Sequence, residues 1–256
     1  MEVLHSYIQG SGPDLVILHG FMGMADNWKT LGNAYESAGY RVHLVDQRNH
    51  GKSFHHPEFN YQVLVDDLWR YLDHWGIPSI KIIGHSMGGK TAMRAACARP
   101  DRIERLLVAD IGPKAYPPHH QQIMEAMIAL ASTPPASRQE AAQSMEKRGL
   151  APGIVQFLLK NLARKPDQTL GWKLNLPVLY QSMENIGAPL EPQMTYPGPT
   201  LFLRGSKSTY ILDTDRAQIT AHFPQAEIAD ISGAGHWLHA ENPQEFLQKS
   251  LAFLAQ

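Results

Sequence analysis

The sequence predicts an α/β fold with a mostly parallel central sheet flanked by helices and an inserted helical cap. Three observations lead to this prediction: short apolar runs alternate with helical patterns in the first half, a helix-rich stretch follows, and the strand rhythm then returns. Strands that alternate with helices indicate a parallel sheet wound by right-handed crossovers. The chain has 256 residues, a length that suits one core with one insertion.

The first half contains five predicted strands, each a short run bounded by turn residues. They are Val3–Gln9, Asp14–Leu18, Arg41–Val45, Ile80–Ile83 and Arg105–Ala109. Helices are predicted between these strands at Ala25–Ala38, Tyr61–Trp75 and Ser86–Ala98.

The pattern changes after residue 112. No strand is predicted from residue 113 to residue 197, where helix formers are separated by prolines. Helices are predicted there at Gln121–Ala131, Arg138–Arg148, Ile154–Ala163 and Leu176–Asn185. The strands Thr200–Leu203 and Glu227–Ile231 and the helix Pro243–Leu254 come next. Because the sheet resumes, we interpret residues 113–197 as a cap inserted in a core formed by residues 1–112 and 198–256; a separate helical domain is the alternative.

Composition and charge are ordinary for a soluble globular protein. The net charge is -1, which gives the whole molecule no attraction to nucleic acid or membrane surfaces. The only cysteine, Cys97, cannot form an internal disulfide, and the first residues do not resemble a secretory signal. We therefore expect a cytoplasmic protein that is a monomer or a small homo-oligomer, without nucleic-acid or membrane partners.

A candidate nucleophile lies where a predicted strand meets a predicted helix. The segment 84–88 reads Gly-His-Ser-Met-Gly, and glycines two residues before and after a serine leave room for a sharp turn. Such a turn projects the Ser86 hydroxyl, and the helix that follows offers the Met87 amide to a developing oxyanion. Ser86 is therefore the predicted nucleophile.

The same residues fit a second motif. Gly84–Thr91 matches the phosphate-binding pattern G-x-x-x-x-G-K-[ST]. The next strand is followed by Asp110, which in a nucleotide hydrolase would help to hold Mg²⁺. The local sequence thus leaves a P-loop nucleotide hydrolase open as a remote alternative. If the protein is instead a serine hydrolase, we expect Lys90 to lie on a helix near the mouth of the site with its charge in solvent.

Features far from this turn favour a serine hydrolase. The strand Asp14–Leu18 is followed by a glycine turn, where the α/β-hydrolase fold supplies its second oxyanion amide, here that of Phe21. His236 follows the last predicted strand, which is the place for a general base. The chain order Ser86, Asp110, His236 is that of this fold.

The acid and the base each have alternatives. The usual loop for the acid, after Thr200–Leu203, carries no carboxylate, so we favour Asp110 at a neighbouring strand end over Asp213 and Asp215. His239 is the alternative base. The chain has no H-E-x-x-H motif or cysteine cluster, and we expect neither a metal nor a cofactor.

Four segments give the chain a specific resemblance. They read Leu-His-Gly-Phe-Met-Gly at 18–23, Asp-Gln-Arg-Asn-His-Gly-Lys-Ser at 46–53, Gly-His-Ser-Met-Gly-Gly-Lys at 84–90 and Gly-Ala-Gly-His-Trp at 233–237. The chain resembles the YbfF-type bacterial esterases, α/β hydrolases related to the eukaryotic family called abhydrolase domain-containing 11, over nearly its whole length. This resemblance implies hydrolysis of short- to medium-chain acyl esters and of acyl-CoA thioesters, with Asp110 as the acid and Ser208 near the base.

Further side chains are candidates for the wall of the site. They are His19, His85, Met124, Phe157 and Trp237. The apolar members at helical spacing equally suit packing of a cap onto its core. The predicted activity is hydrolysis of a small-molecule acyl ester or thioester through an acyl-enzyme. A lyase or a ligand receptor that keeps the triad is the alternative, because a fold does not fix a function.

Overall fold

The protein is described by a computed structural model covering residues 2–118 and 120–256. In chain order its strands are β1 (Ser6–Gln9), β2 (Asp14–Leu18), β3 (Arg41–Val45), β4 (Ile80–His85), β5 (Ile103–Ala109), β6 (Leu162–Arg164), β7 (Leu170–Trp172), β8 (Thr200–Gly205) and β9 (Ala226–Ile231). Seven of these form one sheet in the order β1-β3-β2-β4-β5-β8-β9. Only the edge pair β1 and β3 is antiparallel in this sheet, so the predicted α/β fold is confirmed.

Helices cover both faces of the sheet. In chain order they are α1 (Lys29–Ser37), α2 (Tyr61–His74), α3 (Met87–Ala98), α4 (Gln121–Ser132), α5 (Arg138–Lys147), α6 (Pro152–Leu159), α7 (Leu176–Gln181), α8 (Met183–Ile186), α9 (Arg216–His222), α10 (Leu238–Glu241) and α11 (Pro243–Leu254). In β2, Leu15 packs on the face that α1 and α11 cover, and Val16 packs on the face that α2, α3 and α9 cover. Both faces are buried because successive residues of a strand point to opposite sides.

The predicted element boundaries differ from the observed ones at a few places. The first strand begins at Ser6 rather than at Val3. The predicted helix 25–38 is a 3₁₀ turn, Ala25–Trp28, followed by α1. In that turn the Asn27 side chain accepts a hydrogen bond from the Met24 amide at 2.7 Å, which fixes the start of the helical segment.

The region between β5 and β8 holds α4 to α8 and a hairpin. The prediction that residues 113–197 contain no strand is wrong, because β6 and β7 pair antiparallel. Each strand has three residues, which is too short for an alternating pattern to be visible in the sequence. The turn between them places Gln168 in the left-handed region, with φ of +68°.

This inserted region has an apolar core of its own. Its buried side chains, such as Met127 and Leu158, pack together with Phe21, Leu64 and Met87. Phe21 follows β2 and Met87 follows β4, so the region lies over the carboxyl ends of the parallel strands. Among residues 2–118 and 120–256, none of the helices has the length and apolar character that a bilayer span requires.

Two basic side chains of α3 hold the segments that enter and leave the inserted region. Lys90 Nζ donates to the backbone carbonyls of Lys114 at 2.5 Å and Ala188 at 2.8 Å. Arg94 pairs with the carboxylate of Glu191 at 2.8 Å. The expectation that Lys90 carries a solvated charge is wrong, since its side chain is fully buried. Its acceptors lie 24 and 98 positions away, a proximity that no local pattern shows.

Candidate active site

Ser86 lies in a strained turn between β4 and α3. Its backbone has φ of +52° and ψ of -117°, a conformation that costs energy for any residue with a side chain. A side chain on Gly84 would clash with the backbone of Gly88, and one on Gly88 would clash with the carbonyl of Leu18. The turn therefore requires these glycines, and it presents Ser86 at the edge where the parallel strands end.

His236 lies on the loop after β9. Its Nε2 is 3.1 Å from Ser86 Oγ. Its ring stacks on that of Tyr210, with centroids 3.8 Å apart and an interplanar angle of 14°. Its backbone carbonyl is 2.8 Å from Nε2 of His85, which donates this hydrogen bond. The imidazole is thus fixed in a position from which it can take the Ser86 proton.

Asp110 follows β5 and is completely buried, with φ of +51°. Its Oδ2 lies 2.8 Å from His236 Nδ1 and accepts a second hydrogen bond from the Ser208 hydroxyl at 2.5 Å. Its Oδ1 accepts from the Gly205 amide at 3.0 Å. The structure therefore brings together the three residues predicted as acid, base and nucleophile, and it places Ser208 beside the acid.

The buried carboxyl of Asp110 has an altered acidity. Burial raises its pKa from the usual 3.8 to about 6, and the hydrogen bonds from Ser208 and Gly205 oppose this rise. Above that pH the carboxylate can hold the imidazole in the tautomer that carries its proton on Nδ1, and it can stabilise the imidazolium.

Buried histidines surround the triad, and burial keeps them neutral. It lowers the pKa of His19 to about 4 and the pKa values of His50 and His85 to about 3. It also lowers the pKa of His239 well below that of a free imidazole. At neutral pH these rings add polar atoms to the site without adding charge.

The loop after β2 is held from two sides. His50 Nε2 accepts a hydrogen bond from the Met22 amide at 3.3 Å, and Asn161 Nδ2 donates to the Met22 carbonyl at 2.7 Å. Met22 has φ of +59°, so the chain turns sharply here. Within residues 2–118 and 120–256, neither the Phe21 amide nor the Met87 amide has a hydrogen-bond acceptor, which leaves both free to bind an oxyanion.

Two residues at the site were missed by the sequence analysis. Tyr210, which stacks on the base, lies two positions after Ser208, and this closeness was the available signal. Asn161 is 139 positions from Met22, and no feature of its own segment indicates that it reaches the β2 loop.

The alternative acids and the alternative base have other partners. Asp213 is three-quarters exposed and pairs with Arg204 at 3.0 Å. Asp215 pairs with Lys114 at 2.6 Å. His239 stacks on Trp28, with ring centroids 4.1 Å apart and nearly parallel planes.

The nucleotide-hydrolase alternative is not supported. Lys90 is engaged by backbone carbonyls, and Thr91 donates its hydroxyl to the Met87 carbonyl at 3.1 Å. The Asp110 carboxylate, which would hold Mg²⁺ in that class, is bonded to His236 instead. In the part of the chain that the structure describes, no group of three or more His, Cys, Asp or Glu residues is arranged to bind a metal.

A cavity of about 240 Å³ opens beside Ser86. Four of the side chains predicted for the wall line it, namely His19, His85, Phe157 and Trp237. The prediction for Met124 is wrong: this side chain is fully buried in the core of the inserted region, together with Met127 and Leu179. Apolar residues at helical spacing can face a core or a cavity, and the sequence does not distinguish the two.

The chain is similar to known esterases and lipases. A family model described as alpha/beta hydrolase fold matches residues 13–154. A mouse protein named sn-1-specific diacylglycerol lipase ABHD11 is 39% identical over 250 residues, which are 95% of this chain and 81% of the mouse protein. Esterase YbfF of Escherichia coli is 35% identical over 247 residues, which are 96% of this chain and 94% of that protein.

A solved structure shows the same likeness in three dimensions. A marine microorganism esterase superposes with a TM-score of 0.93 at 38% sequence identity. The match covers 99% of this chain and 100% of the marine esterase.

Proposed function

The chain belongs to the α/β-hydrolase family and is a carboxylesterase, and from this premise we propose that Ser86, His236 and Asp110 form its catalytic triad. The observation that carries the proposal is the continuous chain of contacts from Asp110 Oδ2 to His236 Nδ1 and from His236 Nε2 to Ser86 Oγ. Nucleophile, base and acid stand here in the relation that acyl transfer through a serine requires.

In this mechanism Ser86 Oγ attacks the ester carbonyl while His236 Nε2 takes its proton. The tetrahedral intermediate collapses when the imidazolium gives that proton to the leaving alcohol, and an acyl-enzyme remains on Ser86. A water molecule, deprotonated by His236, then attacks the acyl-enzyme, and Ser86 regains its proton as the acid is released. Asp110 holds the imidazole and stabilises its charge throughout.

The oxyanion is assigned to the amides of Phe21 and Met87. Both are in segments next to Ser86, and the positive end of α3 adds a favourable field at Met87. Loss of one such donor costs roughly 10²–10³ in rate. The bonds that His50 and Asn161 make to Met22 would keep the Phe21 amide in place.

We further propose that residues 113–197 act as a cap on the core formed by residues 1–112 and 198–256. The cap supplies Phe157 to the wall beside Ser86, and no described Asp, Glu, Lys or Arg lines that wall. Such a wall suits the apolar part of an acyl ester. Acyl-CoA thioesters react by the same steps, with a thiol as the leaving group.

The decisive test combines a fluorophosphonate probe with turnover of p-nitrophenyl acetate. Wild type should be labelled and should release p-nitrophenol, and Ser86→Ala should lose both properties. Ser132→Ala, an exposed serine on α4, is the matched control and should retain both. Full esterase activity of Ser86→Ala would overturn the proposal.

The same assay separates the alternative function. A lyase or a ligand receptor with an intact triad would be labelled by the probe and would release p-nitrophenol very slowly. The comparison of labelling with turnover therefore distinguishes an esterase from a protein that has an intact triad but does not hydrolyse esters efficiently.

A further inference from the structure

Three spaces lie beside or near the proposed triad. The inner cavity, of about 240 Å³, lies beside Ser86 and His236. It continues into an outer groove of about 530 Å³, since the two share Asn27, Ile154, Phe157, Trp237 and His239 in their walls. A separate small cavity, of about 20 Å³, also borders Ser86. Met87, Ile111, Tyr116, Met183 and Ile186 are among the residues of its wall.

The position of His236 makes these spaces chemically different. Among the described residues, His236 lines the inner cavity and not the small one. Its Nε2 must give a proton to the oxygen of the departing alcohol, so that oxygen has to lie on the side of His236. The tetrahedral carbon of the intermediate has four bonds. Three of them lead to Ser86 Oγ, the oxyanion and the leaving oxygen, so the acyl substituent points in a fourth direction, away from the leaving oxygen.

We propose that the alcohol part of the substrate occupies the inner cavity and the outer groove, and that the small cavity holds the acyl substituent. This inference rests on the triad proposed above. The ester C–O bond breaks, the alcohol oxygen takes the proton that His236 received from Ser86, and the alcohol leaves through the groove. Water then releases the short acid and restores the Ser86 hydroxyl.

The wall of the inner cavity indicates the character of the alcohol. Within the described part of the chain, no Asp, Glu, Lys or Arg lines this cavity. Five of the described histidines line this cavity, and burial lowers the pKa values of three of them, His19, His85 and His239, which are therefore uncharged at neutral pH. Of the three walls, as far as residues 2–118 and 120–256 form them, the outer groove alone has Asp, Glu, Lys or Arg side chains, namely Lys160 and Glu241. The space therefore fits an uncharged, apolar alcohol.

The volume of the small cavity limits the acid. A space of about 20 Å³ holds roughly one water-sized group. The methyl group of an acetyl meets this limit, whereas a longer acyl chain would have to displace Met183 or Ile186. The preferred substrates are thus short-acyl esters of larger apolar alcohols.

Two ester series test this assignment. The first is ethyl, butyl, hexyl and octyl acetate; the second is the methyl esters of acetic, butanoic, hexanoic and octanoic acid. We expect kcat/KM to rise along the acetate series and to fall by about tenfold or more along the methyl ester series. A rise along the methyl ester series, with no gain along the acetate series, would overturn the inference and leave the esterase proposal intact. Absence of turnover with every ester would overturn both.

Variants assign each space separately. Met183→Ala enlarges the small cavity and should raise kcat/KM for methyl hexanoate relative to methyl acetate by about tenfold, with the hexyl-to-ethyl acetate ratio unchanged. Ile154→Trp narrows the inner cavity and should lower the ratio of kcat/KM for hexyl acetate to that for ethyl acetate. The ratio for methyl hexanoate to methyl acetate should not change. Ile128→Ala, a half-buried cap residue outside the three walls, controls for a loosened cap and should change neither ratio.

Fluorophosphonate labelling keeps the variants informative. A variant that is labelled like wild type has an intact triad, so a ratio measured with it reports on the cavity. Unchanged ratios in labelled Met183→Ala and Ile154→Trp would show that the chains do not occupy these spaces. The inference would then be wrong.

Discussion

The hydroxyl of Ser208 lies 2.5 Å from Oδ2 of Asp110, and the same oxygen lies 2.8 Å from Nδ1 of His236. Ser208 is not among the described residues that line the inner or the small cavity. We therefore expect Ser208 to act on the reaction through the acidity of Asp110, as a positioning residue.

Ser208→Ala should move the acid limb of the kcat/KM profile to higher pH. Burial raises the pKa of Asp110 to about 6, and the Ser208 hydroxyl opposes that rise. Without the hydroxyl the pKa of Asp110 increases further, so the ionised triad forms only at higher pH. Rates measured with p-nitrophenyl acetate across the acid range check this. The control is Ser206→Ala, which removes a hydroxyl from the same turn. That hydroxyl accepts a hydrogen bond from the Gly233 amide, so the acid limb of the kcat/KM profile should stay at the wild-type pH. Coincident limbs in Ser208→Ala and wild type would refute the role.

Asp110→Asn should reduce kcat by about 10⁴, because an amide cannot stabilise the His236 cation or hold its Nδ1 proton in the same way. The thermal midpoint should change little, since the amide keeps the volume of the buried group. Asp213→Asn changes an exposed carboxylate that was the alternative acid, and it should match wild type. If Asp110→Asn lost no more kcat than Asp213→Asn, Asp110 would not be the acid of the triad.

Asn161→Ala should lower kcat/KM by about 10²-fold if the Phe21 amide binds the oxyanion, because the variant releases the Met22 carbonyl and loosens the loop. The loss should appear mainly in kcat, since the contact acts on the transition state. Asn185→Ala is a matched control, because its amide donates to the Phe59 carbonyl at 3.1 Å, away from that loop. A loss confined to KM would argue against the oxyanion assignment.

Lys90→Met should destabilise the fold by about 1–3 kcal/mol, because it leaves the carbonyls of Pro113, Lys114 and Ala188 without their donor. The variant should also change how the free energy of unfolding depends on pH. Burial lowers the pKa of Lys90 from the usual 10.5 to about 7, so between these values the unfolded chain binds a proton that the folded chain does not. The free energy of unfolding of wild type should therefore rise with pH across this range.

Urea unfolding at several pH values measures both effects. The rise in the free energy of unfolding should be smaller in Lys90→Met than in wild type. The control is Lys147→Met, which changes an exposed lysine of α5 and should keep the wild-type slope. Parallel curves for Lys90→Met and wild type would show that Lys90 keeps its ordinary acidity in the fold.

The sequence predicted the elements that have a periodic or motif signal. The strands around Ser86 were visible because a parallel sheet buried on both faces needs continuous apolar runs. The turn at Ser86 was visible because its backbone requires glycine at fixed positions. The hairpin of β6 and β7 was missed, since two strands of three residues leave no periodic pattern.

Contacts between distant segments could not be predicted from the sequence, because periodicity and motifs describe only neighbouring residues. Met124 has the spacing of a cavity residue and is instead packed in the apolar core of the inserted region. Helical periodicity shows that one face of a helix is buried, but it does not show which residues that face contacts. Lys90 reads as a surface lysine on a helix, and only the fold brings carbonyl groups from both ends of the inserted region to it. Asn161 reaches the β2 loop in the same way.

The two contacts that attach the inserted region to α3 differ in their tolerance to amino-acid replacement. Lys90 donates to main-chain oxygens, which every amino acid supplies, so a new side chain at Lys114 or Ala188 that keeps the backbone path leaves these acceptors in place. The ion pair of Arg94 needs the carboxylate of Glu191 and is lost when that side chain is replaced by an apolar one.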